Sequence, residues 1–97
     1  LQVLQQSEVL TGLTVARINP ALMTELALPL NAEGVVVVDP GSLGRRVGLQ
    51  TGDILRRIGR VPVTHPSDVG PALRQGVPNV GIEAERSGQR VLLRFRV

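Results

Sequence analysis

Four consecutive valines, Val35 to Val38, between Gly34 and the Asp39-Pro40-Gly41 stop, constrain this chain more than any other feature. The run is too short for a helix and has no polar face, so it is read as a central strand covered on both sides. The cover has to come from within 97 residues. A chain of that length buries roughly 60 to 65% of its unfolded surface, enough for one core and not two. Phe95 is the one aromatic residue, so that core is built from Val, Leu, Ile and Ala.

The flanking sequence supplies the remaining elements. Leu1 to Glu8, with three glutamines and a serine among scattered apolar residues, reads as a lead-in rather than a strand, which leaves 1–9 as a linker and 10–97 as the folded unit. Alternation from Leu13 to Ile18 predicts a strand entered through Gly12. Asn19 and Pro20 predict the cap and first turn of a short helix that Pro29 ends. Ser42 to Gly48 reads as one or two helical turns, capped by Ser42 and closed by Gly48 in a left-handed conformation. Ile54 to Ile58 and Val61 to Val63, separated by Gly59-Arg60, predict a tight hairpin with Pro62 at a sheet edge. A helix from Pro66 to about Gln75, capped by Thr64 or His65, turns Val69, Ala72 and Leu73 inward. Pro71 lies close enough to its start to limit the cost of a missing donor.

The last two strands permit a register prediction. With Ser87-Gly88 as a two-residue loop, Arg86 pairs with Gln89, which sets Ala84 opposite Val91, Ile82 opposite Leu93 and Val80 opposite Phe95. All apolar partners then share one face, and Glu85 meets Arg90 on the other.

Composition removes several classes of function. The chain has no cysteine and one histidine, so neither a disulfide framework nor a zinc site is expected, and no metal or other cofactor is called for. All eleven basic residues are arginine, but eight acidic residues leave a net charge of +3, and the aromatic platforms of single-strand nucleic-acid binders are missing. No run of about 18 apolar residues spans a membrane, and no leader pattern opens the sequence. His65, Asp53, Asp68, Ser42, Ser67 and Ser87 are the residue types of a catalytic triad, but His65 and Ser67 sit at a helix start and no serine lies in a nucleophile elbow. The fragment is read as non-catalytic.

Three stretches carry a family resemblance: Thr11-Gly12-Leu13 before the first strand, Gly34-Val35-Val36-Val37-Val38-Asp39-Pro40-Gly41-Ser42, and Val47-Gly48-Leu49-Gln50-Thr51-Gly52-Asp53-Ile54-Leu55. Together with the order of elements they resemble the PDZ domain, from about Leu10 to Val97. The resemblance implies a mainly β, α+β fold with two or three short helices. Its five or six strands form a partly open antiparallel barrel or sandwich in the bacterial permuted order. The segment Asn19 to Ala32, ending in Leu-Pro-Leu, is similar to the insertion of second, C-terminal PDZ domains in HtrA/Do-type trypsin-like serine proteases. That likeness implies a periplasmic or cell-envelope parent. PDZ domains of intramembrane zinc metalloproteases and secretion proteins share the later motifs.

What the family implies for function is capture of C-terminal peptides or unfolded segments as an added strand. The carboxylate would be held by backbone amides of Leu10, Thr11, Gly12 and Leu13, where glycine tolerates positive φ and crowds no anion. An unpaired strand edge carrying Leu13, Thr14, Val15 and Ala16 would form one wall. Pro66, Gly70 and either Leu73 or Arg74 would form the other, with Leu73 equally suited to the core. Thr11, where the family usually has an apolar residue, and Gly70-Pro71 in the wall depart from the pattern. The competing expectation is a structural role, in which the domain docks on neighbouring domains or subunits of a parent protease.

Overall fold

The structure, a computed structural model, describes residues 2–3, 12–29 and 32–96. Its strands are β1 (Gln2–Val3), β2 (Thr14–Arg17), β3 (Val35–Asp39), β4 (Ile54–Ile58), β5 (Val61–Pro62), β6 (Asn79–Arg86) and β7 (Gln89–Arg96). Helices α1 (Pro20–Glu25), α2 (Gly41–Val47) and α3 (Val69–Gly76) connect them, with a 3-10 turn at Pro66–Asp68 before α3. The strands pair antiparallel in the order β1-β2-β3-β4-β6-β7, and β5 hangs on β4. Among the described residues β1 and β7 are the two ends of that order, so the α+β fold closes no barrel and remains an open sheet.

The valine run lies in the middle of this sheet. Val35, Val36 and Val37 are each fully buried. Val35 and Val37 join the main core with Leu13, Val15, Leu55, Ile58, Val69, Leu73, Val80, Ile82 and Ala84. Val36 is paired with Ile54 in register, and Ile54 borders a cleft shared with Leu26, Ala27, Leu28 and Pro29. The segment after α1 therefore lies beside the second face of the sheet, which is why a run without polar alternation is stable there. Each large aliphatic side chain buried this way contributes about 1.5–3 kcal/mol of transfer free energy before chain entropy is subtracted.

Caps and turns show where local sequence dictates structure. Asn19 Oδ1 accepts the Leu22 amide at 2.8 Å, with Pro20 in the first turn of α1, as expected. Gly48 closes α2 at φ 104°. Ser42 is not its cap: the helix begins at Gly41, whose amide is accepted by Asp39 Oδ1 at 2.9 Å. The expected helix from Pro66 is divided into a 3-10 turn and α3, which makes Pro71 the third residue of α3. An amide there has no intrahelical acceptor, so proline forfeits nothing. The C-terminal hairpin has the expected register, from Arg86 opposite Gln89 through Val80 opposite Phe95.

Asp53 is the one buried charged residue among those described. Arg86 grips it with two bonds of 2.8 Å, Nε to Oδ1 and Nη2 to Oδ2, and also reaches the Gly48 carbonyl at 2.8 Å. Asp53 Oδ2 further accepts the Gln50 amide at 3.0 Å. The hydrogen bonds to Asp53 raise the Arg86 pKa beyond its ordinary value, against the opposing effect of burial. This clamp ties β6 to the loop after α2. It also gives Asp53 a structural role.

Candidate functional site

The backbone of β2 presents its hydrogen-bonding groups alternately to β3 and to the opposite side. The Ile18 amide donates to the Gly34 carbonyl at 2.9 Å, toward β3. Val37, the register partner of Val15, spends its own amide and carbonyl on the β4 side, at Asp53 and Gly52. By alternation, Val15 and Arg17 aim their N–H and C=O groups away from β3, along the outer edge of β2.

That edge is not wholly unpaired, contrary to the expectation from sequence. Gln2 lies opposite Val15 and Val3 opposite Thr14, antiparallel, so the presumed lead-in contributes a strand. No alternation within so short a segment signals it. The strand exists because an open edge offers partners to any extended segment that reaches it. Among the described residues the register ends at Val15, and Arg17 has no strand partner on its outer side.

At the start of β2 the backbone turns through Gly12 at φ 88°. Gly41, at the head of α2, approaches it closely: a Cβ on Gly41 would stand 2.9 Å from the Gly12 carbonyl carbon and 3.3 Å from the Leu13 amide nitrogen. The shape of the Gly12 loop therefore depends on a residue distant in sequence. Leu10 and Thr11, expected to donate amides here, lie outside the described residues.

The expected side-chain walls are more closed than the sequence suggests. Leu13 is 1% exposed, and Val15 and Leu73 are fully buried, all three within the main core. Ala16 is buried on the opposite face of β2, and Thr14 is half-buried. Across from β2, Pro66 is half-buried, Gly70 is buried and Arg74 is exposed. Leu73 thus belongs to the core and Arg74 to the surface. The wall on the α3 side is held at its start by Asp68, whose Oδ2 accepts the Thr64 amide, the Thr64 hydroxyl and the His65 amide at 3.0–3.1 Å. Those backbone and hydroxyl donors lower the Asp68 pKa below its ordinary 3.8.

Beside the far end of β2 a cleft of about 380 Å³ is lined by Arg17, Ile18, Glu33, Gly34, Arg56, Val63 and Thr64. Arg56 is fixed there by Glu85, at 3.0 Å, and by the Glu33 carbonyl. The edge therefore runs from a glycine turn, past a closed apolar wall, to a polar cleft.

Sequence reasoning missed Gly41, which it treated only as a strand stop, and the Asp53–Arg86 clamp. The Asp39-Pro40-Gly41 turn gave the one available signal, a glycine in front of a capped helix. Nothing in the separation of Asp53 from Arg86 foretells their contact.

Residues 34–80 match a family described as PDZ domain. No curated protein matches the chain. Among solved structures, the HtrA3 PDZ domain bound to a phage-derived ligand, FGRWV, is 26% identical with a TM-score of 0.67, covering 88% of this chain and 80% of that one. The HtrA-type protease AlgW with a decapeptide is 25% identical with a TM-score of 0.74, over 87% of this chain and 27% of AlgW. The chain thus spans about a quarter of that protease. The PDZ domain of EpsC from Vibrio cholerae shares the fold, with a TM-score of 0.58 at 18% identity, over 88% of this chain and 77% of that one.

Proposed function

We propose that this chain, a PDZ domain by family match and by fold, captures the C-terminal or exposed apolar ends of other polypeptides on the outer edge of β2. One observation carries the reading: this edge takes up an antiparallel strand, since Gln2–Val3 already lies on it in register. Two HtrA-type neighbours were solved with peptides, which supports the same use here. A tail entering antiparallel to β2 runs toward the Gly12 turn. Its carboxylate would meet the backbone amides there, and its main chain would bond to Val15 and Arg17. The module itself is non-catalytic, and its proposed parent is an HtrA-type serine endopeptidase of the periplasm or cell envelope that uses the domain to recruit substrates or partners.

Affinity in the micromolar range or weaker, about −8 kcal/mol or less favourable, is expected from a few backbone bonds that must offset ordering of the peptide. The test is a titration of a labelled hydrophobic pentapeptide against its C-terminally amidated twin. Preference for the free carboxylate supports the reading. Equal binding of the two, or none, favours docking on a neighbouring domain or subunit instead.

A further inference from the structure

We propose that Gln2–Val3 is a resident strand, which an incoming peptide has to displace from β2 before the site can be filled. This rests on the peptide-capturing role of the β2 edge. Three observations bear on it. First, β1 is antiparallel to β2, so it runs toward the Gly12 turn in the same direction as a captured tail. Second, it lies opposite Thr14 and Val15, on the half of the edge nearest that turn, and among the described residues Arg17 has no strand partner there. The two residues compete directly with the last residues of a tail, whose backbone needs the same Val15 groups. Third, Leu13 and Val15, at the start of the edge, are each at most 1% exposed, so in this state their side chains offer a ligand no open apolar surface.

The pairing is short enough to exchange. Gln2 faces Val15 on the side where Val15 presents both its backbone groups, so among the described residues one pair of ladder bonds can close there. Peptide first engages the edge at Arg17, which has no strand partner among the described residues, and then replaces β1 toward Gly12 in a zipper-like order. The result is a threshold: weak or non-extended segments fail to displace the resident strand, and a tail that also offers a carboxylate succeeds.

The experiment uses the whole chain with the double substitution Gln2→Pro and Val3→Pro, which removes two donors and disfavours ladder pairing. Free-carboxylate pentapeptide is titrated by fluorescence anisotropy, and amide hydrogen exchange is followed at Val15, with Ile82 as the control for an intact core. The variant should lose Val15 protection, keep Ile82 protection and bind peptide about three- to tenfold tighter, the factor carried by one or two net hydrogen bonds. A second variant, Gln2→Gly with Val3→Gly, should give a smaller gain through chain entropy alone. Equal affinity in parent and variants, with Val15 protection lost, overturns the competition while leaving peptide capture standing. Weaker binding by the variants makes β1 a support of the groove and also overturns it. Absence of binding in every form removes the capture reading and the competition together.

Discussion

The C-terminal hairpin and the outer edge of β2 are both antiparallel pairings, and they differ in everything that makes a pairing permanent. In the hairpin every residue from Asn79 to Arg86 has a register partner in β7, and the turn is a two-residue Ser87-Gly88 loop with φ of 53° and 80°. Its inward residues Val80, Ile82 and Ala84 are buried in the main core. On the β2 edge the pairing among the described residues is that of Gln2 and Val3, which the sequence from Leu4 to Leu13 separates from β2, so closure costs more entropy than a two-residue turn. Long, short-looped and core-facing pairing holds the fold. The β2 edge, with its longer closure, is where we propose that partners exchange.

The comparison breaks most readily at the hairpin's anchor. Replacing Arg86 with Met leaves Asp53, whose side chain is 1% exposed, without its cation, and should cost about 3–5 kcal/mol in urea unfolding. Peptide affinity per folded molecule should not change. Ile82→Ala removes core volume from the same hairpin and should cost about 2–4 kcal/mol, again with no effect on affinity. If either substitution weakened peptide binding in the fully folded chain, stability and recognition would not be divided as described.

Gly41→Ala tests the other side. A Cβ there meets the Gly12 carbonyl carbon at 2.9 Å, and φ at Gly41 is 69°. The displaced Gly12 loop should weaken free-carboxylate peptide about tenfold, a change of about 1.4 kcal/mol, and leave the amidated peptide unaffected. Equal loss for both peptides would show that the loop does not read the carboxylate.

The smallest effect belongs to Asp68. Its folded pKa is below 3.8 because Thr64 and His65 donate to the charged form. The stabilisation is therefore present above the unfolded value and is lost as pH falls through the lower folded value. A carboxyl carbon titration should place the Asp68 midpoint below 3.8, and Thr64→Val should move it upward. A midpoint at the ordinary value would mean that the turn before α3 is not held in this way.

Much of this architecture was legible in the sequence where neighbours along the chain decide the outcome. Val35 to Val38, the Asn19-Pro20 start, the Gly48 stop and the β6–β7 register each follow from side-chain shape, backbone freedom or alternation over a few residues. What was illegible depends on tertiary meetings. Gly41 matters because α2 begins against Gly12, and Arg86 because β6 passes the loop after α2. β1 exists because an edge was open, and Ser42 lost the cap because Asp39 reached the first amide of α2. Of the candidate site, Gly12 and the β2 strand were readable as local pattern. The assignment of Leu73 to the core and Arg74 to the surface needed the packed helix.

The most direct measurement follows the Arg17 amide, which points to the outer edge of β2 and has no strand partner there among the described residues. In the free chain it should exchange rapidly with solvent hydrogen, and saturating free-carboxylate peptide should slow that exchange strongly while the Ile82 amide is unchanged. An Arg17 amide that exchanges at the same rate with peptide bound would contradict strand addition on this edge.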